Sequence, residues 1–268
     1  MNASHLASET VRPAIKTRKQ IIKERKKFSK KKWLFFYPLL LILITYCAVI
    51  AAGSILMDDS KLTELEQIRS SATFVTTEQM PEYVPEAFIS IEDHRFYHHL
   101  GIDPISMTRA LFVDLKTQSF AQGGSTITMQ LAKNQFLTQE KSIKRKLKEI
   151  IIAINLERMY TKDELVEMYL NTIYFGHGQY GIEQAANFYF GKTFFGDSNS
   201  KEPVTLSEAA TLASLPKGPE IYSPFKHPEK AFNRQAVVLT RMNDLGIITQ
   251  TEKEAAVWKS VDELPVQR

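Results

Sequence analysis

One cysteine, Cys47, is all the thiol chemistry this chain carries, so no disulfide forms within it and its folded part needs none. Beyond the N-terminal tail, basic charge is outnumbered by acidic. Residues 1–32 hold eleven Lys and Arg against Glu9 and Glu24; taken from totals of 34 basic and 30 acidic residues, this leaves 23 basic against 28 acidic. The rest of the chain is therefore net negative. That argues against a nucleic-acid-binding domain, whose basic surface belongs to the fold itself. Internal repeats are absent, strand signals are few, and the Gly-Gly pair at Gly123–Gly124 runs directly into Ser-Thr with no Gly-Lys-Ser/Thr, so that turn is no Walker phosphate loop. His94 and His98 stand four apart but lack the third ligand of a His-Glu-x-x-His zinc site.

What is present begins with the tail's neighbour. Residues 33–57 carry no charge, and at about 1.5 Å per helical residue such a stretch crosses a bilayer with some to spare. Trp33 and Tyr37 suit the headgroup level, and Asp58–Asp59 mark the far side. The Lys/Arg excess places the basic tail, residues 1–32, in the cytoplasm and residues 58–268 outside it. Both regions are too long for a cleavable signal peptide, so a retained single-pass anchor is expected.

Residues 58–74 read as a stalk, with Leu62, Leu65 and Ile68 on one helical face, and 72–76 as briefly extended. Beyond them helical punctuation dominates. Pro85 suits the start of a helix that ends near Glu92. Thr161 with Glu164 and Thr205 with Glu208 form capping boxes, Thr249 with Glu252 opens a last helix, and Pro228 and Gly246 bracket a long amphipathic one. The exported part is expected to be one mainly α domain over residues 75–250, followed by a C-terminal helix or tail, 251–268.

Three blocks carry the chemistry. Glu92 lies among Phe88, Ile91, Phe96 and Tyr97, and a carboxylate desolvated by such neighbours is shifted toward general-base duty; a lone Glu-Asp on an amphipathic helix is ordinarily just solvated. Gly123-Gly124-Ser125-Thr126 reads as a turn feeding a capped helix, with N–H groups and hydroxyls suited to an anion and Lys133 two turns on. Lys141, Arg145, Lys148 and Glu149 fall on one helical face, and Ile143, Leu147, Ile150, Ile151 and Ile154 on another. Each block alone has an ordinary structural explanation.

Together they do not. The sequence resembles the peptidoglycan glycosyltransferase family, the lysozyme-like domain of class A penicillin-binding proteins and monofunctional transglycosylases. The resemblance rests on Glu92-Asp93-x-x-Phe96-x-x-His99-x-Gly101, Gly123-Gly124-Ser125-Thr126-Ile127-Thr128-x-Gln130, Arg145-Lys146-x-x-Glu149, Tyr169-Leu170-Asn171 through Gly176, and Leu212-Ala213-Ser214-Leu215-Pro216-Lys217-Gly218-Pro219, in that order. It implies a mainly α, lysozyme-like fold and polymerisation of lipid II into β-1,4-linked glycan, with inversion at the anomeric carbon and release of undecaprenyl diphosphate. Glu92 would be the base and Glu149 the second glutamate, holding the basic cluster or a divalent ion (Mg or Mn). Ser125, Thr126, Gln130, Lys133, Lys141, Arg145 and Lys148 would bind the donor and its diphosphate.

Two positions depart from the pattern: Lys141 stands where several relatives carry Arg, and Met129 where some carry Gln. The resemblance also implies a hydrophobic jaw over residues 105–120, against the ordinary reading of a buried core helix. Expected partners are lipid II, the growing glycan-diphosphate-lipid, the bacterial cytoplasmic membrane, penicillin-binding transpeptidases and division or elongation proteins, with no nucleic acid. Ser-x-x-Lys begins at Ser198, Ser214 and Ser223, but neither Ser-Asp-Asn nor Lys-Thr-Gly accompanies it, so a monofunctional protein is expected. The rival readings are a lysozyme-like glycan-cleaving enzyme and a non-catalytic cell-wall scaffold.

Overall fold

The structure, a computed structural model, describes residues 18–117, 124–138, 140, 142–195 and 203–260. The basic tail before residue 18, Lys141, Ser198 and the last three positions of the expected jaw lie outside the described residues. The chain forms two compact units, Met1–Ala48 and Val49–Arg268. The first holds most of helix α1 (Arg18–Leu56), in which Phe36–Leu56 is long and apolar enough to cross a membrane. Its large side chains face outward, as with Leu39 and Ile42.

The second unit is mainly α, as expected. Helix α2 (Asp59–Arg69), read from sequence as stalk, is capped by the Asp58 carboxylate on Ser60 N–H and buries Leu65 fully in the core. The segment after it is pinned rather than strand-paired: Asn171 accepts from Val75 N–H at 2.9 Å and donates to Val75 C=O at 2.8 Å. Helix α3 (Tyr83–Glu92) begins two residues before Pro85, which sits in its first turn, where proline's missing N–H costs nothing. α3 buries Val84, Ala87, Phe88 and Ile89 and ends at Glu92.

Helices α4 (Pro104–Thr117), α5 (Ile127–Phe136), α6 (Ile143–Met159) and α7 (Lys162–Thr172) follow. A short hairpin, β1 (Tyr174–Gly176) and β2 (Gln179–Tyr180), turns through His177 and Gly178, both at positive φ as a tight primed turn requires. Then come α8 (Ile182–Phe190), α9 (Leu206–Ser214), α10 (Pro228–Asp244) and α11 (Gln250–Ala256). The capping boxes at Thr161, Thr205 and Thr249 all form, Pro228 opens α10, and Gly246 follows its end at φ 73°.

Two packings position the site. α9, buried along nearly its whole length because its alanines let neighbours approach closely, holds α3 and α10 against it. α5 packs on α6 and α7. The first brings Glu92 at the end of α3 toward α10; the second brings the polar face of α5 toward the cations of α6.

Candidate active site

Asp93 joins the two halves. It is 6% exposed, and its carboxylate faces His99 Nε2 at 2.9 and 3.0 Å and accepts from Ile127 N–H, the first residue of α5, at 3.0 Å. A buried acid thus holds the end of α3 on the start of α5, where the helix dipole favours it. One of the N–H groups at that N-terminus is therefore taken by the protein's own carboxylate. Thr126 is committed as well: its hydroxyl donates to Gly101 C=O at 2.6 Å and accepts from Met129 N–H at 3.1 Å. Thr126 is a buried helix cap with both of these hydroxyl bonds made inside the protein. The two groups it needs lie 25 residues upstream and one turn ahead, and only folding puts both within reach.

Glu92, next to Asp93, is partly buried and accepts from Gln130 Nε2 at 2.8 Å; Gln130 Oε1 in turn accepts from the fully buried Tyr169 hydroxyl at 3.3 Å. Burial pushes the Glu92 carboxyl above its ordinary value, against the pull of the Gln130 bond and of Arg234, Lys217 and Lys133. Tyr169 is held well above the usual phenol range by burial and by the charges of Glu92 and Asp93, so it stays a neutral donor. The result is an acid raised above its ordinary value by burial, with three cations favouring its charged form.

Lys133, one turn beyond Gln130 on α5, is pushed down by burial; the Glu149 carboxylate supports its charge, and Arg145 and Lys146 oppose it. Glu149 is 2% exposed on α6 and has one oxygen on Arg145 and the other on Lys146, the latter at 3.0 Å. Lys146 Nζ also donates to Ser125 at 2.6 Å. So Glu92, Gln130, Lys133, Glu149, Arg145 and Ser125 form one continuous polar surface, and Lys146 belongs to it.

Lys148 stands about 100° round the helix from Glu149 and makes no ion pair among the described residues. Lys141 lies outside the described residues. Sequence reasoning missed Lys146, Lys217, Arg234 and Tyr169 as site residues; Lys146, Lys217 and Tyr169 sit inside the quoted motifs, whereas nothing local marks Arg234. The Arg234 guanidinium lies over the Tyr222 ring at 5.7 Å, and its buried Nε has no hydrogen-bond partner among the described residues.

A resident divalent metal does not fit the residues here. Glu149 is the buried acid of the cluster and both its oxygens face cations, and among the described residues no group of three or more His, Cys, Asp or Glu converges.

Residues 58–243 match the family model described as Transglycosylase. Penicillin-binding protein 1F of Bacillus subtilis (strain 168) is 42% identical over 255 residues, 87% of this chain and 35% of that protein. The monofunctional glycosyltransferase of Staphylococcus haemolyticus is 36% identical over 245 residues, 91% of this chain and 90% of that protein. That of Staphylococcus aureus (strain Newman) is 41% identical over 194 residues, 72% of each chain. The chain thus spans about a third of the first of these relatives and most of the other two.

Proposed function

The chain belongs to the transglycosylase family, and from that premise we propose that it is a peptidoglycan glycosyltransferase that polymerises lipid II. The observation that carries the reading is the pairing of a raised, partly buried Glu92 with the cations Lys133, Arg145 and Lys146 along one surface. Glu92 takes the proton from the 4-hydroxyl of incoming lipid II as that oxygen attacks the anomeric carbon of the growing strand. The C1–O bond to the diphosphate breaks, its electron pair leaves with the phosphate oxygen, and the new glycosidic bond forms on the opposite face with inversion. A diphosphate leaves as an anion, so it needs cations aimed at it more than a proton donor. Preorganised positive charge in a partly desolvated groove lowers that barrier.

Gln130 orients the base, and Tyr169 orients Gln130. Ser125, anchored by Lys146, stands at the rim of the cationic region. Phe36–Leu56 would anchor the chain in the cytoplasmic membrane, with the catalytic unit on the outer side according to the tail's charge. α4 leaves Ile105 62% and Phe112 68% exposed, so it is no core helix; these side chains suit the jaw that reaches lipid-borne substrate from the bilayer surface.

A glycan-cleaving enzyme of similar fold needs a catalytic acid but no cation cluster. The two readings separate when the purified full chain receives lipid II in one reaction and preformed glycan in another. Polymer and free diphosphate lipid are expected from the first and no shortening of the second. Shortened glycan with no polymer would overturn the proposal.

A further inference from the structure

α6 is built inside out relative to its aliphatic pattern. At about 100° per residue, Glu149, Ile152, Ala153 and Leu156 share the side that is buried, together with Arg145 and Lys146. The stripe of Ile143, Leu147, Ile151 and Ile154 points the other way, and its first two members are 84% and 57% exposed. Lys144 and Lys148 flank that stripe and make no ion pair among the described residues.

The far end of the same stripe is already occupied. Asn155 lies at its edge, in line with Lys144 and Lys148, and is 2% exposed; its Nδ2 donates to Val49 C=O at 3.2 Å and to Ile151 C=O at 2.8 Å. One turn further along α1, a Cβ on Gly53 would collide with the Asn155 amide, so glycine is what permits the contact. Val49 and Gly53 are in the last two turns of the apolar segment Phe36–Leu56. If that segment spans the bilayer, these turns lie in its outer leaflet. The helix face that meets them then continues for about 12 Å, from Ile151 to Ile143, along the membrane boundary.

We infer that this outward stripe of α6, with Lys144 and Lys148 beside it, rests in the outer headgroup layer and takes anionic phospholipid as its partner. Aliphatic side chains flanked by lysines are the pattern of a helix lying in that layer, apolar groups toward the acyl boundary and ammonium groups on phosphates. This gives Lys148 a lipid phosphate as its partner in place of the substrate diphosphate expected from the sequence. The inference rests on the membrane-anchored reading above.

The test uses the full chain with Cys47→Ser and one further substitution, Leu147→Cys or Ile143→Cys, whose thiol bears an environment-sensitive fluorophore. Val237→Cys, at a position 48% exposed on α10, is the reference. The labelled proteins are reconstituted into phosphatidylglycerol–phosphatidylethanolamine vesicles containing shallow doxyl lipid. Retention of the chain in the membrane pellet after alkaline carbonate checks the anchor separately. Quenching at positions 147 and 143 is expected to exceed that at 237 by about two-fold or more, as for side chains inserted at the headgroup boundary. Lys144→Gln with Lys148→Gln is expected to reduce it in anionic vesicles and leave it unchanged in neutral ones. An anchored chain with no excess quenching at 147 and 143 overturns the inference. So does thiol cross-linking between copies of the unlabelled Leu147→Cys variant when its labelled form shows no lipid quenching, which would make the stripe a protein interface. Quenching insensitive to the double lysine change overturns the choice of anionic lipid.

Discussion

Gln130→Met removes the amide that holds Glu92 while keeping side-chain length. In the structure that amide donates to Glu92 Oε2 at 2.8 Å and offsets part of the rise that burial imposes on the carboxyl. A hydrogen bond to an ionised group contributes about 1.5–3 kcal/mol, so at a fixed acidic pH its loss lowers the ratio of carboxylate to acid about 10- to 100-fold. The sign follows directly. The bond favours the charged form, its removal raises the carboxyl pKa further, and the base works only as carboxylate. The acidic limb of kcat/KM against pH therefore moves to higher pH.

Plateau height is a separate quantity, because on the proposed reading Gln130 would also meet the donor; the position of the limb does not depend on it. The assay is initial rate of fluorescent lipid II polymerisation in detergent across pH, with limb and plateau fitted separately. The substitution also strips the buried Tyr169 hydroxyl of its acceptor, costing about 1–3 kcal/mol, so rates are taken below the variant's unfolding temperature. A limb that stays in place, or moves to lower pH, would refute the role given to this bond.

Arg234→Gln removes a cation that supports ionised Glu92, so its acidic limb is expected to move to higher pH as well, read by the same titration. Asp93→Ala strips His99 and Ile127 N–H of a shared buried acceptor; a loss of about 2–4 kcal/mol in thermal unfolding of the detergent-solubilised protein is expected, with activity falling as the ends of α3 and α5 separate. Asn171→Ala, which unclamps Val75, is expected to cost about 2 kcal/mol by the same measurement while leaving the position of the pH limb unchanged, because it touches the fold and not the base.

Sequence signals are legible in this chain where the physics is local. Caps at Thr161, Thr205 and Thr249, the stop at Gly246 and the place of Glu92 at a helix end all depend on a few neighbouring residues. The cationic cluster is only half legible. A helical wheel groups Lys141, Arg145, Lys148 and Glu149, but which side of α6 turns inward is decided by what the core accepts. It accepts Glu149, Ile152 and Leu156, and Lys146 comes with them. The aliphatic periodicity of α6 announces an apolar face without saying that it points outward. Arg234 is invisible for another reason: it reaches Glu92 only because α9 gathers α3 and α10, which lie more than a hundred residues apart. Thr126 has the residue type of a ligand, yet its hydroxyl is committed to Gly101.

The central claim is that one carboxyl, set against a wall of cations, draws the proton that starts glycan growth. It is tested most directly by Glu92→Gln beside wild type, both as purified full chains given lipid II, with polymer and released diphosphate lipid counted in the same reaction. The variant keeps the side chain's size and loses its charge and its ability to accept the proton. It should fold with wild-type stability, within about 1 kcal/mol, still bind lipid II, and make polymer at least about a hundred-fold more slowly. Polymer made at the wild-type rate by that variant would contradict the account.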